Sequence, residues 1–301
     1  MGVRLPGWLT KPMTDFGETR RVRKTLESHR LNTVCDEAKC PNRVDCFSRG
    51  TATFMILGDR CTRDCRFCAV SHADPLPLDP AEPDEVASAA TTLGLDFVVV
   101  TSVTRDDLAD GGASQFAATV RAVRASRTGV GVEVLVPDFN GSREAIDVVL
   151  GSGPDVFGHN VETVRRLYPM VRGRARYERS LDVLSHAAAS RSGAFVKSSL
   201  MLGIGETREE LERTLADIRS AGAEIVCLGQ YLRPSVDHYP VARFVPPEEF
   251  DELAVMCRSM GFRWVSAGPF VRSSYRAHEA VAALSQRRPS TEGSMLGKER
   301  A

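Results

Sequence analysis

From about residue 50 the chain alternates short β-branched or apolar runs with segments of helical period, and this alternation limits the fold more than any other feature. The runs are TFMILG (53–58), FVVVTSV (97–103), VGVEVLVPD (130–138), DVFGHNV (155–161), FVKSSLMLG (195–203) and EIVCLGQYL (224–232). Helical patterns span 82–93, 113–127, 142–151, 180–190, 207–221 and 247–260. One helix has both ends written out: Thr207 and Glu210 form a T-x-x-E capping box, Leu211, Leu215 and Ile218 give the apolar stripe, and Gly222 supplies the stop. Strand-then-helix repeats of this kind predict an α/β architecture with a parallel sheet, either open and doubly wound or a barrel. The polar clusters TSVTRDD, VPDFNG, GHNVE and GIGET fall where strands end, and in both architectures that end carries the site.

Six of the eight cysteines crowd into residues 35–68. A disulfide scaffold is short and stapled throughout, so clustering in a long chain points to a metal instead. Cys35, Cys40 and Cys46 are spaced C-x4-C-x5-C; Cys61, Cys65 and Cys68 are spaced C-x3-C-x2-C and directly follow the first strand. Structural zinc uses paired C-x2-C halves totalling four ligands, which neither triplet supplies. Thiolates in tight spacing also suit iron–sulfur clusters, whose cubane form takes one ligand per iron, so a triplet leaves one iron open. The other two cysteines, Cys227 and Cys257, continue apolar patterns and are expected in the core.

Lys+Arg and Asp+Glu balance at 39 each, so nothing in the charge suggests nucleic acid, and a zinc module binding nucleic acid is disfavoured. No run approaches membrane-span length, and residues 1–20 lack the apolar core of a signal peptide, so a cytoplasmic protein without a membrane partner is expected. The segment 164–180 holds six arginines against one glutamate and is a candidate for docking an acidic partner. The polar tail SQRRPSTEGSMLGKERA is expected to be disordered.

The order TVCDEAKCPNRVDC, ATFMILGDRCTRDCRFC, TSVTRDDLADGGA, PDFNG, HNVET, QYLRPS, GPFVRSSY, covering roughly residues 20–280, resembles the lipoyl synthases of the radical S-adenosylmethionine superfamily. The resemblance implies a partial (βα)6 TIM-like barrel with an N-terminal cysteine-bearing arm and a short C-terminal extension. It divides the chain into 1–50, 51–262 and 263–301. It implies two 4Fe–4S clusters. Cys61, Cys65 and Cys68 would hold the first, whose open iron chelates S-adenosylmethionine. Cys35, Cys40 and Cys46 would hold an auxiliary cluster completed by a serine of the R-S-S-Y motif, Ser274, with Ser273 the alternative.

By the same resemblance the reaction inserts two sulfur atoms, taken from the auxiliary cluster, into an octanoyl chain on a carrier lysine. The implied partners are octanoylated lipoyl carrier domains (the acyltransferase component of 2-oxoacid dehydrogenases and the glycine cleavage carrier protein), an electron donor such as flavodoxin or ferredoxin, and an iron–sulfur carrier protein. Arg105, Asp106, Asn160, Glu162 and Lys197 stand at strand ends as candidates for S-adenosylmethionine or the substrate amide, and Gly203 and Gly205 for close backbone approach. His159 is expected to be a satisfied polar residue. The chain departs from the family pattern at Asp36, Phe47 and Ser199, none of them a cysteine. Another radical enzyme with an auxiliary cluster is the alternative reading.

Overall fold

A computed structural model describes residues 5–10, 16–49 and 52–286. The tail from residue 287, expected above to be disordered, lies outside the described residues. The strands are β1 (Asn32–Thr33), β2 (Thr53–Ile56), β3 (Phe97–Ser102), β4 (Gly131–Leu135), β5 (Val156–Gly158), β6 (Phe195–Leu202), β7 (Ile225–Gln230) and β8 (Trp264–Gly268). They form one sheet in sequential order, with β2 through β8 parallel and β1 antiparallel to β2. No pairing joins β1 to β8, so the sheet curls without closing.

The helices are α1 (Phe16–Ser28), α2 (Val34–Glu37), α3 (Arg43–Ser48), α4 (Glu82–Leu93), α5 (Ala113–Ser126), α6 (Arg143–Leu150), α7 (Tyr168–Val171), α8 (Tyr177–Ala189), α9 (Arg208–Ser220), α10 (Pro247–Ser259) and α11 (Ala277–Ser285). The strands are buried along most of their length, as a parallel sheet covered by helices requires. Each crossover helix turns its stripe inward: Phe116, Val120 and Val123 on α5, Leu211, Leu215 and Ile218 on α9, Phe250, Leu253 and Cys257 on α10. The capping box at Thr207 and Glu210 forms as expected, and Gly222 follows the helix at φ +91, where a Cβ would meet the Ala188 Cβ at 2.4 Å. Cys227 and Cys257 are both buried.

Two differences from the sequence reading concern the ends of the sheet. The segment WVSAG, counted above with the C-terminal extension, is the seventh parallel strand, β8, pairing with β7 over five residue pairs. It is short, ends in Ser266, Ala267 and Gly268, and has no helix directly behind it to complete the βα rhythm. The arm before β2 also contributes β1 and three helices rather than remaining a bare cysteine carrier.

The last helix covers the opposite end of the sheet from the loops that carry the cysteines. Ala280 and Leu284 of α11 pack on Val156, Phe195 and Ile225, which begin β5, β6 and β7. Among the described residues no helix is long and apolar enough to cross a membrane.

Candidate active site

The loop leaving β2 turns sharply through Leu57 (φ +70) and Gly58 (φ +88) and delivers Cys61, Cys65 and Cys68 to the carboxyl end of the sheet. Main-chain hydrogen bonds fix it on several sides: Cys61 N–H donates to the Ser71 carbonyl (2.8 Å), Thr62 N–H to Thr104 (3.0 Å) and Arg66 N–H to Val171 (2.9 Å). The Thr104 N–H points at Cys61 Sγ (3.3 Å). Inside the loop, the buried Arg63 guanidinium forks onto both Asp106 oxygens (2.8 Å each) and reaches Asp138 Oδ1 at 2.7 Å and Asn140 Oδ1 at 3.0 Å. Burial alone would raise Asp138, but hydrogen bonding and charge from Arg63 hold its carboxyl far below the usual range. One cation thus ties the cysteine loop to the loops after β3 and β4.

The second triplet is built by α2 and α3. Thr33 caps α2, its Oγ1 accepting from Asp36 N–H, and Cys35 sits in that first turn. Cys40 N–H donates to the Cys35 carbonyl (3.1 Å), and Cys46 N–H to the Asn42 carbonyl (2.8 Å). Phe47, where the family pattern has Trp, is fully buried and anchors α3 to the core.

Within each triplet the thiols are electrostatic neighbours. Burial first, then the charges of Cys40 and Cys46, pushes Cys35 up to about 12; burial, then Cys65 and Cys61, does the same to Cys68. Such thiols stay protonated unless a cation replaces the proton. None of the eight cysteines is in a disulfide. Among the described residues no three His, Cys, Asp or Glu side chains converge tightly enough for a single metal ion. A cubane does not ask for that convergence, since each thiolate binds a different iron.

Both triplets reach one cavity of about 480 Å3, within the usual size for a small-molecule site. Cys61, Cys65 and Cys68 line it, and so do Cys40, Ser273 and Ser274; Cys35 and Cys46 are not part of the lining. Five buried side-chain polar atoms lack a partner among the described residues: Ser102 Oγ, Asn160 Oδ1, Thr163 Oγ1, Arg172 Nε and Ser273 Oγ. All but Thr163 belong to residues lining this cavity. Orphaned polar atoms beside unpaired thiols are the mark of a pocket shaped for a polar, metal-bearing occupant, so the residues fit the implied clusters and cofactor.

Of the five polar candidates, the structure brings Asn160 and Glu162 to the cavity wall and does not bring Arg105, Asp106 or Lys197 there. Arg105 forks onto Asp107 and donates to the Leu57 carbonyl (3.2 Å), supporting the turn after β2. Asp106 is held by Arg63 and accepts from Asn140 Nδ2 at 3.0 Å. Lys197 Nζ lies 2.8 and 2.9 Å from the two oxygens of Glu133, both side chains buried in the sheet's interior. His159 is satisfied as expected, with Nδ1 on the Val136 carbonyl (2.9 Å) and Nε2 on Ser180 Oγ (3.0 Å). The N–H groups of Gly203, Ile204 and Gly205 do not face the cavity: all three donate to the Glu206 carboxylate at 2.7–3.0 Å.

The basic segment 164–180 is also mostly committed. Arg165 pairs with Glu178, Arg166 with Glu210 and Arg179 with Asp138. Arg172 is a site residue that sequence reasoning missed, because a run of arginines reads as a solvated face. It stacks on Tyr168 (5.2 Å) and donates to the carbonyls of Asn160 (3.0 Å) and Val161 (3.3 Å) at the cavity wall. Glu162 (φ +70) completes the wall. Burial pushes its carboxyl up, against Arg172, the Asn160 amide and Arg272 beside it. The Arg172 charge also favours the Cys65 thiolate, Arg272 lies near enough to Cys40 to interact with it, and Glu162 is a neighbour of both arginines.

Residues 55–218 match the radical SAM superfamily. The chain is 50% identical over 283 residues to the lipoyl synthase of Methylococcus capsulatus, covering 94% of this chain and 88% of the relative. It is 51% identical to that of Thermus thermophilus (94% and 88%) and 51% identical to that of Pyrobaculum calidifontis (92% and 96%). Among solved structures it resembles HydG, a maturase of the FeFe-hydrogenase, with a TM-score of 0.55 at 14% identity over 85% of this chain and 72% of the other. It also resembles Streptococcus suis SuiB bound to its precursor peptide, with a TM-score of 0.54 at 10% identity over 83% and 52%. These two likenesses speak for the fold, whereas the lipoyl synthase relatives match 92–94% of the chain. The chain belongs to the lipoyl synthase family of radical SAM enzymes.

Proposed function

We propose that this chain inserts two sulfur atoms into the octanoyl chain of octanoylated lipoyl carrier domains, drawing the sulfur from an auxiliary iron–sulfur cluster. The observation that carries this reading is a single cavity lined both by Cys61, Cys65 and Cys68 and by Cys40, Ser273 and Ser274. A 4Fe–4S cluster on Cys61, Cys65 and Cys68 with S-adenosylmethionine, and a second on Cys35, Cys40, Cys46 and Ser274, supply the radical and the sulfur that no side chain provides. In this reading residues 1–50 carry the thiolates that would hold the sulfur-donating cluster, 51–262 the radical chemistry and 263–301 the completing serine.

The chain's own residues bind, orient and exclude. Arg63 locks the cysteine loop to two neighbouring loops, so the three thiols are presented together. Arg172 offers an unpartnered Nε–H to the cavity, suited to a carboxylate, and Asn160 offers an unpartnered Oδ1 to a hydroxyl or amide donor. Met55, Val103, Leu135, Leu200 and Met201 line the remaining wall with apolar surface, which accommodates an alkyl chain and keeps water from the reacting carbons. We take the carriers to be the acyltransferase component of 2-oxoacid dehydrogenases and the glycine cleavage carrier protein. The electron donor is a flavodoxin or ferredoxin, replacement clusters come from an iron–sulfur carrier protein, and the setting is the cytoplasm.

The test is incubation of the reconstituted protein with S-adenosylmethionine, a reductant and an octanoyl-lysine peptide, followed by product mass. Gain of two sulfurs is expected; cleavage of S-adenosylmethionine with an unaltered peptide would overturn the reading. Cys65→Ala should abolish cleavage, whereas Cys40→Ala should retain cleavage and lose sulfur transfer. Ser274→Cys should keep the auxiliary cluster assembled and slow its dismantling, because thiolate holds soft iron more firmly than alkoxide.

A further inference from the structure

The C-terminal segment that carries Ser273 and Ser274 has no regular secondary structure between β8 and α11, yet it meets the N-terminal arm at two defined points. Asn42 lies between Cys40 and Cys46 and is 1% exposed; its Nδ2 donates to the Phe270 carbonyl at 2.7 Å. At the other end the Tyr275 hydroxyl donates to Asp45 Oδ2 at 3.0 Å, and Asp45 is steadied by Arg49 Nε at 3.1 Å. The two links join positions 228 and 230 residues apart in sequence. Their ends bracket the motif on both sides: Phe270 and Tyr275 flank the serines, while Asn42 and Asp45 sit among the arm's cysteines.

We propose that Asn42 and Tyr275, with Asp45, are positioning residues that form a two-point clasp holding the serine segment against the arm's thiols. The inference rests on the reading that Ser274 completes the auxiliary site. A serine hydroxyl is a weak ligand for soft iron beside three thiolates, so its binding depends on being held at high effective concentration. The thiolates need no such help, because each is a strong ligand carried on the arm itself. Weakening the clasp therefore loosens the serine first and leaves the thiolates in place.

The measurement is the rate at which an iron chelator strips the reconstituted, two-cluster protein, read alongside 5′-deoxyadenosine formation from S-adenosylmethionine and the thermal unfolding midpoint. Tyr275→Phe removes a single oxygen, and Asn42→Ser shortens the side chain so that the amide donor to the Phe270 carbonyl is lost. Each should speed release of the auxiliary half of the iron about tenfold, the scale of one charge-assisted or buried hydrogen bond. The slower half, deoxyadenosine formation and the unfolding midpoint should stay near those of the parent protein. Asp45→Asn should act like Tyr275→Phe, and the pair combined should add little, since both break the same link.

Ser274→Ala is the control that separates the two ideas. If it leaves chelation kinetics unchanged, the assignment of Ser274 as ligand fails. If it speeds release while Tyr275→Phe and Asn42→Ser do not, the ligand assignment stands and the clasp is overturned. Equal acceleration of both halves of the iron, with a lowered midpoint, would also overturn the clasp, because it would mark a general packing role.

Discussion

Lys197 and Glu133 show how a residue's partner decides its role. Both are buried in the sheet's interior and satisfy each other at 2.8 and 2.9 Å. Lys197→Met should destabilise the fold by about 3 to 5 kcal/mol, since it strands a buried carboxylate, and adding Glu133→Leu should recover most of that loss. Denaturant unfolding of the single and double variants checks it; an additive double variant would refute the pairing. His159 gives a pH signature. Burial, then the nearby Arg172 charge, lowers it from about 6.5 to about 4. The unfolded chain therefore binds this proton first as pH falls, and stability contributed by neutral His159 is lost between about 6.5 and 4, amounting to about 3 kcal/mol. His159→Gln should flatten that part of the stability profile, measured by unfolding at stepped pH. Lys197 and Arg172 were misjudged in opposite directions from sequence, one placed at the site and the other on the surface. Local spacing records neither what lies across the sheet nor what stacks on a side chain.

At the scale of elements, helices with written ends were legible. The capping box of α9 appears as the letters require, and Glu210 additionally accepts Arg166, with Nε at 2.7 Å. Thr207→Ala should cost about 1 kcal/mol, measured by denaturant midpoint, and leave product formation unchanged because α9 packs outside the sheet. The loop before it was misread for a physical reason: a G-x-G turn presents free N–H groups, but the carboxylate of Glu206 next in sequence fills them. The cysteine loops were legible because metal chemistry restricts spacing more than folding does. Strand β8 was not, since only Trp264 and Val265 of its five residues favour a strand, and the short run gains its identity from pairing with β7.

For the whole molecule, contacts between distant parts of the chain decide the site, and no local pattern encodes them. Gly229 on β7 is the clearest case. A Cβ there would stand 2.0 Å from the Val271 carbonyl oxygen, so the C-terminal segment lies directly on that strand. Gly229→Ala should lift the segment, weaken retention of the auxiliary iron and leave S-adenosylmethionine cleavage largely intact; iron and sulfide analysis after desalting checks it. The alternation of strands and helices followed from the residue pattern, whereas their sequential order in one sheet was left open by it; the meeting of the arm with the segment after β8 was implied only by the family resemblance, because its two hydrogen bonds join distant parts of the chain.

The unpaired edge between β1 and β8 gives this architecture a practical property. The arm that carries Cys35, Cys40 and Cys46 adds β1 to one edge of the sheet, and the segment with Ser273 and Ser274 leaves β8 at the other, so the two meet across the gap by side-chain hydrogen bonds and not by strand pairing. Under the proposed function, a cluster entering through that gap would break no strand pairing, so the auxiliary site could be reloaded with the seven parallel strands intact.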